Sequence, residues 1–178
     1  MKRALAGSLV LLGAIAVSSS ARAEDIEQSN QVMFGAMVSY VPQQNRLGDD
    51  VLAIGHYVSY SHRLDSFFVG LRASIAYGWL PSGAPGQQWI LEGDGFIGGH
   101  LPIGKRFALR LEAGLGPLLN GGDGLSTAGI AHAYLRAAAQ LVVVKSVTVE
   151  AFGGPSFLLG QAVAGVFPEL GLGCGWNF

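Results

Sequence analysis

Four histidines, His56, His62, His100 and His132, are the side chains of this sequence suited to bind a metal or carry a proton near neutral pH. None lies in an HExxH motif or has a second histidine three or four residues away. His56 and His62 are six residues apart, about 20 Å along an extended strand, too far to share one ion. A nucleophile needs a base within reach and a third group that orients the base. His132 with Ser126, Ser156 and Glu150 could be arranged that way, but no GxSxG elbow supports it. The run Gly121-Gly122-Asp123-Gly124 lacks the lysine and the following helix of a phosphate cradle and reads as a loop tip. No catalytic residue, no metal site and no cofactor is expected.

The charged residues carry more information. Arg72, Glu92, Asp94, Arg110, Glu112, Arg136, Glu150 and Glu169 stand in otherwise apolar or glycine-rich stretches. Glu92 and Asp94 are two apart, as are Arg110 and Glu112, so each pair shares one face of an extended strand. Buried carboxylates must find a partner or take up a proton. The three arginines can supply partners, with Arg110 and Glu112 on one strand expected to face Glu92 and Asp94 on the strand before it. A structural network of ion pairs is expected ahead of a cation site, an acid–base pair or a narrow gated pore.

The elements that must hold these charges are strands. Between residues 67 and 79 the odd positions Phe67, Val69, Leu71, Ala73, Ile75, Tyr77 and Trp79 are apolar or aromatic. The intervening Gly70, Arg72, Ser74, Ala76 and Gly78 are small or charged. A helix would smear both sets around its axis. Residues 106–116 and 170–178 alternate equally clearly, and weaker runs cover 32–41, 51–62, 88–101, 127–143 and 147–156. Long connections at 42–50, 80–87, 117–126 and 157–166 alternate with short ones at 63–66, 102–105 and 144–146. This is the pattern of an eight-stranded antiparallel up-and-down barrel with both termini on the short-turn side. The 157–166 connection belongs to an apolar stretch, Leu158 to Phe167, that could meet lipid or protein or fold onto the rim.

Composition limits what such a barrel can be. Half of the 178 residues are apolar and 13% are charged; mean hydropathy is +0.40. A disordered tail is excluded. A formal charge of −1 offers no basic footprint for nucleic acid. The single cysteine, Cys174, excludes an internal disulfide or a cysteine-rich zinc module. The chain opens Met1-Lys2-Arg3, continues apolar from Ala4 to Val17, and then reads Ala21-Arg22-Ala23. This is the layout of a secretory signal peptide cleaved after Ala23, too short for a membrane anchor. The expected organisation is a signal peptide over 1–23, a periplasmic lead over 24–31 and a barrel over 32–178. Removing Lys2, Arg3 and Arg22 leaves 8 basic residues against 12 acidic ones.

A soluble barrel puts its apolar face inside and could carry a lipid-like ligand; a membrane barrel does the reverse. Eight charges are too few to solvate a barrel exterior, and glycine, alanine and serine on the same faces suit a crowded lumen. Tyr40, Tyr77, Trp79 and Trp89 flank the long loops, while Phe67, Phe107, Trp176 and Phe178 lie at the short-turn end. Two such girdles are the mark of bilayer interfaces. The expected fold is therefore an all-β, eight-stranded transmembrane barrel.

The last strand, with Leu170, Leu172, Trp176 and terminal Phe178, resembles that of the small OmpA/OmpX-type outer-membrane barrels of Gram-negative bacteria. So does Leu101-Pro102-Ile103-Gly104-Lys105 followed by Leu109-Arg110-Leu111-Glu112-Ala113-Gly114. Cys174 departs from the family's lipid-facing pattern, and the peptidoglycan-binding domain of full-length OmpA has no counterpart in this sequence. The resemblance implies residence in the outer membrane, contact with its lipid and lipopolysaccharide, and delivery by the barrel-assembly machinery reading the last strand. It implies a structural or surface-interaction role, with a surface partner reached through the loops. Some barrels of this size modify lipid A acyl chains with a Ser/His or Ser/His/Glu set; His132 would be the residue to test, but a non-enzyme is expected.

Overall fold

The computed structural model describes residues 30–41, 51–79, 88–122, 125–144, 146–159 and 164–178. Residues 1–23, which read as a signal peptide, most of the 24–31 stretch, the 42–50 and 80–87 connections and the side chains of Trp79 and Ser126 lie outside the described residues. Eight strands follow in order: β1 (Asn30–Val41), β2 (Val51–Leu64), β3 (Phe67–Trp79), β4 (Gln88–Pro102), β5 (Phe107–Gly122), β6 (Leu125–Val144), β7 (Val147–Leu159) and β8 (Ala164–Asn177). Each pairs antiparallel with its sequence neighbours, and β8 returns to pair with β1, closing the barrel. Among the described residues, closure gives every strand a hydrogen-bonded neighbour on both sides along most of its length. It reaches the last residue: Phe178 N–H donates to Asn30 O at 2.9 Å, and Asn30 N–H donates to Phe178 O at 3.0 Å.

The alternation sets which side chains face out. On β3, Leu71 is 67% exposed while its neighbour Arg72 is 3% exposed. Leu109, Leu111 and Leu115 of β5 and Leu170, Leu172 and Trp176 of β8 are likewise exposed, while Arg110 and Glu169 are buried. The exterior is thus a belt of leucine, valine, isoleucine and aromatic side chains, while charges at the short turns, such as Asp65, Lys105 and Arg106, are exposed and mid-strand charges such as Arg72, Arg110 and Glu169 are inside.

Five element ends differ most from the sequence expectation. Strand β1 starts at Asn30 and takes in two residues of the 24–31 lead. Strand β5 runs on to Gly122 and β6 begins at Leu125, so most of the 117–126 connection is strand. Likewise β7 reaches Leu159 and β8 starts at Ala164, so most of the apolar Leu158–Phe167 stretch is barrel wall and not a surface loop. Glycine and other turn signals made these segments read as loops, and proline stands in or beside them. The wall accommodates it by leaving ladder gaps. The β4–β5 ladder skips from Glu92↔Leu118 to Gly95↔Leu115 beside Pro117. The β6–β7 ladder skips from Tyr134↔Ser156 to Ala137↔Gly153 beside Pro155. The β1–β8 ladder stops at Ser39↔Glu169 beside Pro168. At Pro117 and Pro155 the ladder resumes beyond the gap, whereas at Pro168 it ends.

The lumen is filled with rings as well as charges. Tyr57, Phe68, Phe96, Tyr134, Phe152 and Phe167 are buried, with Met33 and Met37. Tyr57 meets Phe152 edge-on at 5.4 Å between centroids, and Phe68 meets Phe96 at 6.0 Å. The glycines make room for these rings. A Cβ at Gly114 would run into the Tyr134 ring, and one at Gly173 would meet the Tyr57 hydroxyl. Gly114→Val is expected to cost about 1–3 kcal/mol by overpacking. Part of that loss should return when Tyr134 is also truncated to alanine. Urea unfolding of both variants in detergent checks this; equal losses in the presence and absence of the ring would refute it.

Candidate functional site: the charged lumen

Strand parity turns Arg72 (β3), Glu92 and Asp94 (β4), Arg110 and Glu112 (β5), Arg136 (β6), Glu150 (β7) and Glu169 (β8) toward the barrel axis, all with side chains at most 9% exposed. Arg72 Nη2 lies 3.1 Å from Asp94 Oδ2 and 3.8 Å from Glu92 Oε2. The Ser74 hydroxyl donates to Glu92 Oε2 at 2.6 Å. Arg136 reaches Glu169 Oε2 at 2.9 Å and Glu112 Oε1 at 3.3 Å. Arg110 lies 3.6 Å from Glu112 Oε2 and 3.6 Å from Glu150 Oε2. Direct ion pairs at these distances and this burial interact far more strongly than surface pairs, because little water screens them.

Each guanidinium also lies over a ring. Arg110 sits 3.8 Å from the Phe68 centroid, Arg136 3.8 Å from Phe152 and 4.8 Å from Tyr134, and Arg72 4.2 Å from Tyr134. Cation–π contact of this kind adds attraction without drawing donors away from the carboxylates. The inward aromatics therefore hold the arginines in place, and the glycines opposite admit the aromatics.

The register corrects one expected pairing. Arg110 does not meet Glu92 or Asp94. It stands opposite His100 on β4, whereas Glu92 stands opposite Leu118. The carboxylates of β4 are therefore higher in the barrel, toward the long loops, and pair back to Arg72, directly across from Asp94 on β3. Arg110 instead works near the short-turn end with a neutral polar layer. It donates to Gln31 Oε1 at 2.7 Å, and Gln140 donates to Glu150 Oε2 at 2.7 Å. Gln31 donates to Asn177 Oδ1 at 2.8 Å, and Asn177 donates to the Thr148 hydroxyl at 2.7 Å. A cavity of about 40 Å³ opens here, lined by Gln31, Phe68, His100, Arg110, Gln140 and Asn177 among others, enough for one or a few waters. Gln31, Gln140, Thr148 and the inward rings were not singled out from the sequence, whereas Asn177 falls on the inward parity of the last strand. Their parity relative to the charges was the available signal: Gln140 is four residues from Arg136, and Phe68 is four from Arg72.

The histidines separate. His56 faces outward, and His62 Nδ1 lies 3.0 Å from Asn30 Oδ1 near the short-turn rim. His100 is buried beside the cavity. His132 is fully buried, and its Nδ1 lies 3.3 Å from Asp94 Oδ1. Glu150, the carboxylate considered for His132 from sequence, is engaged instead by Gln140 and Arg110. Ser156 is also fully buried, yet neither its hydroxyl nor His132 Nε2 has a hydrogen-bond partner, so the two do not form a nucleophile–base pair. One ring nitrogen of His132 and one carboxylate oxygen each of Glu92 and Glu169 do lie within 4.8 Å of one another.

On the outside, Tyr40 and Tyr77 are exposed and Trp89 half-buried at the long-loop end. Tyr60, Phe67, Phe107, Trp176 and Phe178 are exposed at the other. Leu170 and Leu172 continue the outward face of β8, and Cys174 is exposed among them.

No protein-family model matches the chain, and no curated protein resembles it in sequence. Its architecture does match solved structures. Neisserial surface protein A is 12% identical, with a TM-score of 0.67 over 84% of this chain and 97% of that one. Ail, the attachment invasion locus protein of Yersinia pestis, is 14% identical, with a TM-score of 0.56 over 85% and 99%. The N-terminal β-barrel domain of Pseudomonas aeruginosa OprF is 18% identical, with a TM-score of 0.52 over 85% and 100%. A closed antiparallel meander of eight strands, apolar outside and charged within, gives this chain the fold of the small eight-stranded outer-membrane β-barrels.

Proposed function

We propose that the chain is an integral outer-membrane β-barrel, exported by its N-terminal signal and held rigid by a side-chain-plugged lumen. Its role is structural or one of surface interaction, without catalysis. The observation that carries this reading is the inversion of the barrel. Leu71, Leu170 and Leu172 are each about two-thirds exposed, while Arg72, Asp94, Arg136 and Glu169 are 5% exposed or less. In water such an exterior would aggregate; in a bilayer it is the stable arrangement. The two aromatic girdles fit the interfaces of a bilayer, which supports lipid and lipopolysaccharide as the molecules that meet the wall. The ion pairs and rings fill the interior of an eight-stranded barrel, where little room remains for a channel.

Fractionation tests this directly. The protein should sediment with outer membranes, need detergent for extraction, and migrate differently on gels before and after heating. A detergent-free soluble product would overturn the reading. Delivery can be tested at the last strand, whose outward Leu170, Leu172, Trp176 and Phe178 we assign to recognition by the assembly machinery. Deleting Phe178, or replacing it with serine, should leave export across the inner membrane intact while most heat-modifiable barrel disappears from outer-membrane fractions. Normal insertion of the variant would refute that assignment.

A further inference from the structure

The buried His132, Glu92 and Glu169 come from β6, β4 and β8, three strands of which no two are adjacent, and meet across the lumen. We propose that they bind one divalent cation of the first transition row, with Asp94 orienting the histidine from behind.

Three observations carry this. The first is unmet bonding capacity. His132 is 0% exposed and its Nε2 has no partner; Glu169 is 1% exposed and its Oε1 has none. Ten buried side-chain atoms have no partner among the described residues; these two belong to residues of the converging donor set, where one bound ion would satisfy both. The second is the arrangement behind the donors. Asp94 Oδ1 lies 3.3 Å from His132 Nδ1. An Nδ1–H donated to that carboxylate leaves Nε2 with a lone pair, the carboxylate–histidine pattern of metal ligands. Arg136 holds Glu169 through Oε2, which leaves Oε1 available. The third is charge. Among the described residues the lumen network sets three arginines, Arg72, Arg110 and Arg136, against five carboxylates, Glu92, Asp94, Glu112, Glu150 and Glu169. Two negative charges remain with all five ionised and His132 neutral, and one divalent cation cancels them.

The donor types choose the class of ion. One imidazole nitrogen with two carboxylate oxygens suits Zn²⁺ or Co²⁺, whereas Ca²⁺ and Mg²⁺ prefer oxygen alone. Donors about 2.0–2.2 Å from a tetrahedral ion are roughly 3.3–3.6 Å apart. The present set, within 4.8 Å, closes by side-chain adjustments on the order of 1 Å. Because the site is enclosed, loading accompanies folding, as is usual where the ligands meet only in the folded chain.

The test uses the chain expressed from its whole sequence, purified in detergent, unfolded with chelator and refolded with Zn²⁺ or Co²⁺. One equivalent of Zn²⁺ should be retained after dialysis, and Co²⁺ should give the intense visible bands of a low-coordinate site. His132→Ala and Glu169→Gln should each weaken Zn²⁺ binding by 10-fold or more, and Asp94→Asn by about 10–100-fold. His62→Ala and His100→Ala should leave it unchanged. If His132→Ala does not fold, the Co²⁺ spectrum of the unsubstituted protein still decides. A weak, octahedral, all-oxygen spectrum, no retained Zn²⁺, or equal retention in His132→Ala and Glu169→Gln would overturn the proposal. The two charges would then be cancelled by protons.

Discussion

Replacing Arg136 with methionine is expected to lower the unfolding free energy of the barrel by about 3–5 kcal/mol. Arg136 pairs with Glu169 at 2.9 Å and Glu112 at 3.3 Å, and it covers the Phe152 and Tyr134 rings. Methionine keeps much of the side-chain volume but leaves the Glu169 carboxylate without its only cationic partner among the described ion pairs. Glu112 keeps Arg110 at 3.6 Å, so the loss falls mainly on Glu169. Adding Glu169→Gln removes the stranded charge, so the double variant should be more stable than the sum of the single losses implies. A coupling of about 0.5–3 kcal/mol is the expected reading of the double-mutant cycle. Strict additivity in urea titrations of all four proteins would show that the pair carries no energy. Water admitted to the lumen by the substitution would reduce the loss toward the lower end, through screening.

Leu71→Arg should destabilise the membrane-inserted barrel by about 2–4 kcal/mol. Leu71 is 67% exposed and lies between the girdle residues Phe67 and Tyr77 of β3, both exposed on the same face. That places it near the midplane, where a guanidinium finds neither water nor headgroups. The same substitution at Tyr77, near the long-loop interface, should cost only about 0–1 kcal/mol beyond the loss of the ring, because charge there snorkels to water. Unfolding from phospholipid vesicles distinguishes the two positions. A Leu71→Arg midpoint equal to that of the parent would mean that this face does not meet lipid.

Why the outward face was legible beforehand is local physics. A strand alternates its side chains with a period of two whatever it pairs with. Phe67 to Trp79 and Leu170 to Phe178 therefore declared their two faces residue by residue. Scarce charge and abundant glycine on one parity then marked it as the crowded interior. Strand number followed from the count of alternating runs. The ends of β5, β6, β7 and β8 were not legible, because glycine in 117–126 and 157–166 reads as a loop signal, and a proline beside them breaks a ladder only on the side its nitrogen faces. Whether that side is tolerable depends on the neighbouring strand. Pro117 and Pro155 sit at ladder gaps and Pro168 at a ladder end.

The sequence by itself thus determined the fold class, the direction each side chain faces and the membership of the charged lumen. Only the tertiary structure decided the partners. Parity says that Arg110 and Glu92 both point inward, but not that they stand at different heights. Inter-strand register sets that height, pairing Arg110 with His100 and Glu92 with Leu118. Nor does any local pattern bring Glu92, His132 and Glu169 together. They meet because the sheet closes on itself, and closure with its stagger is a property of all eight strands at once.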